Sequence, residues 1–158
     1  MTVDPYEKFW MWMAGVIVAT FIGTIAYTAR AYTLQPPSHV ETIDPAQVMQ
    51  DPRFATPGVT ALPDGRQQVV MVGLRFSWLP PEVHVRARTP VTFRLTSMDV
   101  IHGFEVAGTN ANTMVVPGYV SQFTTTFDKP GKYLVACNEF CGDGHHLMQA
   151  AIVVEGAP

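Results

Sequence analysis

Gln68-Val-Val-Met-Val-Gly-Leu-Arg-Phe-Ser-Trp-Leu-Pro-Pro-Glu-Val-His-Val-Arg-Ala-Arg-Thr-Pro-Val-Thr-Phe-Arg-Leu95 reads as a succession of short strands. Val70, Val72, Leu74 and Phe76 alternate with their neighbours, as do Val83 and Val85, then Val91, Phe93 and Leu95. A period of two puts each set on one face of a pleated strand. Pro80-Pro81 and Thr89-Pro90 mark the turns. The pattern continues through Phe123, Thr125 and Phe127, then Tyr133 and Val135, and finally Ile152 and Val154. Pro117-Gly118 and Lys129-Pro130-Gly131 divide these later strands. Short alternating strands with no long amphipathic helix between them indicate an antiparallel sandwich or barrel. Roughly 90 residues can bury one modest core.

Upstream the pattern changes. Pro36, Pro37, Pro45, Pro52, Pro57 and Pro63 punctuate a stretch poor in apolar runs. It reads as a linker with one helical turn near Pro45–Gln50, for which Asp44 can serve as N-cap. Further upstream, Phe9 to Ala29 is 21 residues without a charge. As a helix it would be roughly 31 Å long, close to the hydrocarbon thickness of a bilayer. Phe9, Trp10 and Trp12 at one end, with Tyr27 and Tyr32 at the other, suit interfacial anchors. A secretory signal peptide is the rival reading, but the residues before the run are not basic and the run exceeds about 15 residues. Lys8 and Arg30 nearly cancel as orientation signals. The expected organisation is an anchor over 1–32, a Pro-rich linker over 33–65 and a β domain over 66–158.

Composition bounds the function. A chain of 158 residues holds one ordinary domain. Ten Lys and Arg against 13 Asp and Glu give a net charge of −3, which argues against broad, charge-driven nucleic-acid binding. With 15% charged and 47% hydrophobic residues, the chain is not a disordered polyelectrolyte. Two cysteines are too few for a multi-bridge disulfide scaffold.

One stretch departs from the strand pattern: Cys137-Asn-Glu-Phe-Cys-Gly-Asp-Gly-His-His-Leu-Met148. Thiolate, imidazole and thioether are soft or borderline ligands suited to copper or zinc. Gly142 and Gly144 let the backbone turn tightly, so donors on one loop can converge. His102, 35 positions before Cys137, reads as the start of a strand whose end can lie beside that loop. Two histidines, a cysteine and a weak methionine suit an electron-transfer copper site, and a second cysteine allows two thiolates to bridge two metals. A Cys137–Cys141 disulfide and a structural zinc site are the alternatives. Against zinc, methionine is a poor ligand and the spacing is not finger-like.

Cys137-x-Glu139-x-Cys141-x-x-x-His145-x-x-Met148, with His102 upstream, resembles the dinuclear copper-A motif of subunit II of haem-copper oxidases. The resemblance spans nearly the whole chain. Asp99-Val-Ile-His-Gly-Phe104, Gly108-Thr-Asn110 and Pro130-Gly-Lys-Tyr133 are similar to the short, single-span form of ba3-type oxidases.

The resemblance implies a mainly β, cupredoxin-like Greek-key sandwich or barrel carrying one N-terminal transmembrane helix. It implies two copper ions bridged by Cys137 and Cys141, with His102 and His145 each binding one copper. Met148 would be a weak ligand, and Glu139 would coordinate through its backbone carbonyl. Long-form relatives use a Glu side chain at this position to help bind magnesium against subunit I, whereas ba3-type relatives tend to carry Gln. Magnesium near Glu139 is therefore an open expectation. His146 has no ligand role in the pattern.

Phe76 and Trp78 occupy a place similar to the family's aromatic electron-entry region; the alternative is that one is a core residue and the other a sheet-edge aromatic. No catalytic residue is expected in this chain, because oxygen reduction and proton pumping belong to subunit I. The implied partners are subunit I, a c-type cytochrome donor and membrane lipid, with no nucleic acid. The implied location is the inner (plasma) membrane, with the copper domain on the outer, periplasmic face. A copper-A subunit of a nitric oxide reductase and a membrane-tethered copper carrier or assembly protein are the alternatives. From Arg30 onward, nine Lys and Arg face eleven Asp and Glu, a net −2. So small a charge favours an apolar docking face with modest salt dependence.

Overall fold

The computed structural model describes residues 4–31 and 41–156. Helix α1, Pro5–Ala31, contains the uncharged run. Asp4 accepts the Tyr6 N–H at 2.8 Å, satisfying one of the donors that a helix start leaves unpaired. Glu7 in the first turn and Arg30 in the last complement the helix dipole. Thr20, Thr24 and Thr28 donate their hydroxyls to the carbonyls of Val16, Thr20 and Thr24, so these polar groups do not need water. None of the helix residues is buried, and its 27 residues are long and apolar enough to cross a membrane.

The described residues 41–156 form a β unit of ten strands: β1 Gly58–Ala61, β2 Gln67–Leu74, β3 Ser77–Leu79, β4 Glu82–Arg86, β5 Pro90–Ser97, β6 His102–Val106, β7 Asn112–Val115, β8 Ser121–Thr126, β9 Gly131–Ala136 and β10 Gln149–Glu155. One sheet has the order β1-β2-β5-β8, with β3 also paired to β2; the other has the order β4-β10-β9-β6-β7. The sandwich is mixed rather than antiparallel throughout. β2 with β5 and β4 with β10 run parallel. Neither pair is consecutive in sequence, and the chain visits the opposite sheet in between, which supplies the crossover that parallel pairing requires. Alternation within a strand reports its faces and carries no information about the direction of its neighbour.

Between the sheets lies the main core. Val83, Val85, Val91, Phe93, Leu95, Val135, Ile152 and Val154 all point into it, as their alternation indicates. β2 is out of step with that reading. Val69 and Met71 face the main core, whereas Val70 and Val72 face outward into a second cluster with Ile43, Val48, Phe54 and Val120. The strand is buried on both faces, so its apolar run is continuous and its alternation uninformative.

The outward cover comes from residues 41–54. Pro45–Gln50 is a 3₁₀ turn whose N-cap, Asp44, accepts the Ala46 N–H at 3.0 Å. Glu41 bridges Arg53 and Arg94, and the Arg94 guanidinium lies 5.8 Å from the centre of the Phe54 ring. Through the main core runs a file of aromatic rings. Tyr133, Phe127, Phe93, Phe104, Trp78 and His102 follow one another at centroid separations of 5.1, 6.4, 5.5, 5.3 and 5.8 Å. Interlocked rings of this size carry the largest apolar areas in the unit and leave His102 against a rigid wall.

Candidate metal centre

The register sends β2, β5, β7 and β9 toward one pole of the sandwich, from which β6 and β10 depart. Every candidate donor belongs to that pole. His102 opens β6 and is fully buried. Cys137 directly follows β9, with its N–H donating to the Met148 carbonyl at 3.2 Å. Cys141 lies in the loop, His145 begins a short 3₁₀ turn, and Met148 precedes β10.

The structure brings these side chains together. Cys137 Sγ lies 3.9 Å from His102 Nδ1 and 3.8 Å from Cys141 Sγ. Cys141 Sγ lies 3.6 Å from His145 Nδ1 and 3.8 Å from Met148 Sδ. The Glu139 carbonyl oxygen is 3.2 Å from Cys137 Sγ. Nitrogen and sulfur donors about 2.0–2.3 Å from a shared metal stand about 3.3–3.8 Å apart, so the spacing and the soft character of this set fit a copper centre. The two sulfurs are free thiols, separated by nearly twice the ~2.05 Å of a disulfide. Burial, then the hydrogen bond with Cys137, pushes the Cys141 thiol up to about 11. Metal binding here must therefore release protons.

Two groups hold His102 from behind. Its Nε2 lies 2.9 Å from Asp99 Oδ1, which leaves Nδ1 facing the thiols. Burial pushes the Asp99 carboxyl up, but hydrogen bonds from His102 and from the Val100 and Arg75 N–H groups outweigh it and lower its pKa. Carboxylate partners of this kind fix the orientation of a ligating imidazole. On the ring's other side, a Cβ at Gly73 would come within 2.9 Å of His102 Cδ2.

Further out, the Phe76 ring covers the ligand loop. A Cβ at Gly144 would lie 2.3 Å from Phe76 Cδ2, and one at Gly142 3.1 Å from Cε1. Gly142 has a φ of 128°, a conformation that favours glycine. Gly144 has a φ of −89°, so its part is to leave room for the ring and not to permit a turn. Trp78 is buried edge-on to His102, Phe76 is half-buried, and His146 and the Glu139 side chain are exposed. Sequence reasoning missed Asp99, Gly73 and Gly103. The Asp99-x-x-His102 spacing was the available signal for the first. The glycines gave none, because their role is to make room for segments distant in sequence.

A two-sheet sandwich with two thiols, two imidazoles and a thioether gathered at one pole defines a cupredoxin-like protein whose side-chain set fits copper. Residues 64–157 match the family model for the periplasmic domain of cytochrome c oxidase subunit II, and the chain is 38% identical over 154 residues to cytochrome c oxidase subunit 2 of Thermus thermophilus, covering 95% of this chain and 92% of that one. The chain belongs to the cytochrome c oxidase subunit II family. In structure it resembles a chain of a haem-copper terminal oxidase dimer solved by cryo-electron microscopy, with a TM-score of 0.75 and 31% identity over 95% of this chain and 99% of that one. The periplasmic domain of subunit II of cytochrome oxidase from Bradyrhizobium japonicum shares the fold, with a TM-score of 0.52 and 21% identity over 56% of this chain and 83% of that one.

Proposed function

We propose that this chain is the electron-transfer subunit of a terminal cytochrome c oxidase, receiving electrons from a c-type cytochrome and passing them to haem in subunit I. Oxygen reduction and proton pumping then belong to subunit I. The carrying observation is the convergence of His102, Cys137, Cys141, His145, Met148 and the Glu139 carbonyl at one pole. In this reading Cys137 and Cys141 would be shared by two copper ions, His102 and His145 would each hold one, and Met148 and the Glu139 carbonyl would be weaker donors. When bound, the copper pair supplies a one-electron redox couple.

The chain's own part is to hold the donors still and keep water from them. Buried thiols, Asp99 behind His102 and Phe76 over the glycines all serve that end. Ile101, Met114, Tyr119, Phe140 and Leu147 are exposed apolar side chains on the strand ends and loops of this same pole. They support a docking face that excludes water without strong charge. Electron entry beside Phe76 and Trp78 is favoured by the partial exposure of the first and the contact of the second with His102. The exposed Glu139 carboxylate is available to a magnesium ion completed by subunit I. Helix α1 anchors the chain in the inner membrane, with the β unit on the periplasmic face.

The test uses the full chain in detergent, loaded with copper and read by electron spin resonance. One unpaired electron shared equally by two copper nuclei is the expected result. A single-copper pattern, or no copper uptake, overturns the reading. Reduced c-type cytochrome should then be oxidised by the loaded protein.

A further inference from the structure

The ligand loop crosses the outer face of β6 at Gly103, the residue after His102. Strand β9 pairs with β6 only at Glu105–Ala136 and Val106–Val135, and beyond Ala136 the chain leaves the sheet. Asn138 then seats on Gly103. Its N–H donates to the Gly103 carbonyl at 3.3 Å, and its Nδ2 donates to Asn112 Oδ1 on the adjoining strand β7 at 3.3 Å. A Cβ at Gly103 would fall 1.9 Å from Asn138 Oδ1, 3.0 Å from its Cγ and 2.8 Å from the Glu139 amide nitrogen. Nothing larger than hydrogen fits beneath the carboxamide. The same short segment carries Cys137 at one end and, two residues on, the Glu139 carbonyl that lies 3.2 Å from Cys137 Sγ.

We infer that Asn138, seated on the bare face of Gly103 and tied to Asn112, is a positioning residue that sets where the Glu139 carbonyl oxygen stands relative to the Cys137 sulfur. Neither Asn138 nor Asn112 is a metal donor in the proposed set. Both asparagines act on that set through the backbone they hold. Gly103 is required because Asn138 is large: the two form a lock and its seat. A side chain at 103 displaces the carboxamide, breaks the Asn112 bond and lifts the 138–139 peptide. The inference rests on the copper reading above, because only a bound metal reports the carbonyl. A neutral oxygen donor favours the oxidised, harder state of copper, so moving it away raises the reduction potential.

The experiment is a double-mutant cycle on the copper-loaded full chain in detergent, read by midpoint potential and copper hyperfine pattern at matched copper content. Gly103→Ala is expected to raise the midpoint and make the two coppers unequal. Asn138→Ala and Asn112→Ala, which only remove atoms, are expected to give smaller shifts in the same direction. The double variant Gly103→Ala/Asn138→Ala should match Asn138→Ala instead of adding to Gly103→Ala, because the clash has lost its larger partner. If Gly103→Ala does not fold, the two asparagine variants carry the test. A midpoint and pattern unchanged in both asparagine variants overturn the inference, as does a double variant no closer to wild type than Gly103→Ala. Failure of the copper reading looks different: the wild-type chain would itself lack the two-copper pattern.

Discussion

Phe54→Ala tests whether the Pro-rich stretch before the main strands is part of the fold. Phe54 is fully buried beside Val48, Ile43, Val70, Val72 and Val120, and the Arg94 guanidinium lies over its ring. Truncating a buried phenylalanine costs about 3–5 kcal/mol, including the cavity it leaves. Losing the cation–ring contact adds about 0.5–1 kcal/mol. Against a domain stability of about 5–15 kcal/mol, that is a large fraction. With m near 1.5 kcal/mol/M in urea, the unfolding midpoint should fall by about 2–4 M.

The assay is urea unfolding of the compact unit Pro37–Pro158, followed by the fluorescence of Trp78, which is buried and the only tryptophan outside α1. The copper spectrum of the folded variant should match wild type, because the Phe54 cluster lies on the outer side of its sheet and shares no buried residue with the cluster that holds the donors. A true linker residue would change stability by no more than about 0.5 kcal/mol. A midpoint shift under about 0.3 M, with m unchanged, would refute the idea that residues 41–54 are a wall of the domain.

Three further outcomes are expected. Cys141→Ser leaves a single thiolate bridge, so the copper-loaded variant should show a one-copper hyperfine pattern; an intact two-copper pattern would mean the donors are misassigned. The hydrogen bond that the His84 ring donates to the Glu155 carboxylate, with Glu82 beside it, raises the pKa of His84 above its ordinary 6.5. That contribution to stability is fully present below the unfolded value and is lost as pH rises through the folded one. Proton NMR of the His84 ring should therefore give a midpoint above 6.5, and His84→Gln should flatten the stability profile in that window. Oxidation of reduced c-type cytochrome should slow by less than about tenfold from low to physiological ionic strength, since the apolar pole and small net charge provide little steering. A drop of orders of magnitude would point to a charged docking face.

The strands and the candidate donor loop were legible because each leaves a local mark: alternation for a face, and residue type with spacing for the side chains that the structure brings together. Val83, Val91, Phe93 and Ile152 face inward as their periodicity says. Val70 and Val72 do not, because a second layer from residues 41–54 buries the side that periodicity assigns to solvent, and that layer carries no apolar run of its own. The parallel pairings were invisible for a related reason: they join strands far apart in sequence. Gly103 and Gly73 matter through atoms they lack, and no spacing rule records an absence. Asp44 capping the turn at Pro45–Gln50 was readable, because a cap and its helix are neighbours.

The arrangement of the donors also weighs between electron transfer and copper carriage. A carrier must offer exchangeable ligands to its acceptor, whereas His102 is 0%, Met148 2%, Cys141 6% and Cys137 8% exposed. Each is fixed by a different neighbour. His102 is held between Asp99 and Trp78, Cys137 by the Met148 carbonyl, and the loop by Phe76 on its glycines and by Asn138 on Gly103. Handing a metal on would mean withdrawing several of these contacts together, and the aromatic file behind His102 has no slack to give. The same resistance favours electron transfer. Donors that cannot move keep the geometry nearly equal in both oxidation states, and the half-buried His145 with its exposed neighbour Phe140 leaves one edge of the site at the surface without opening the rest.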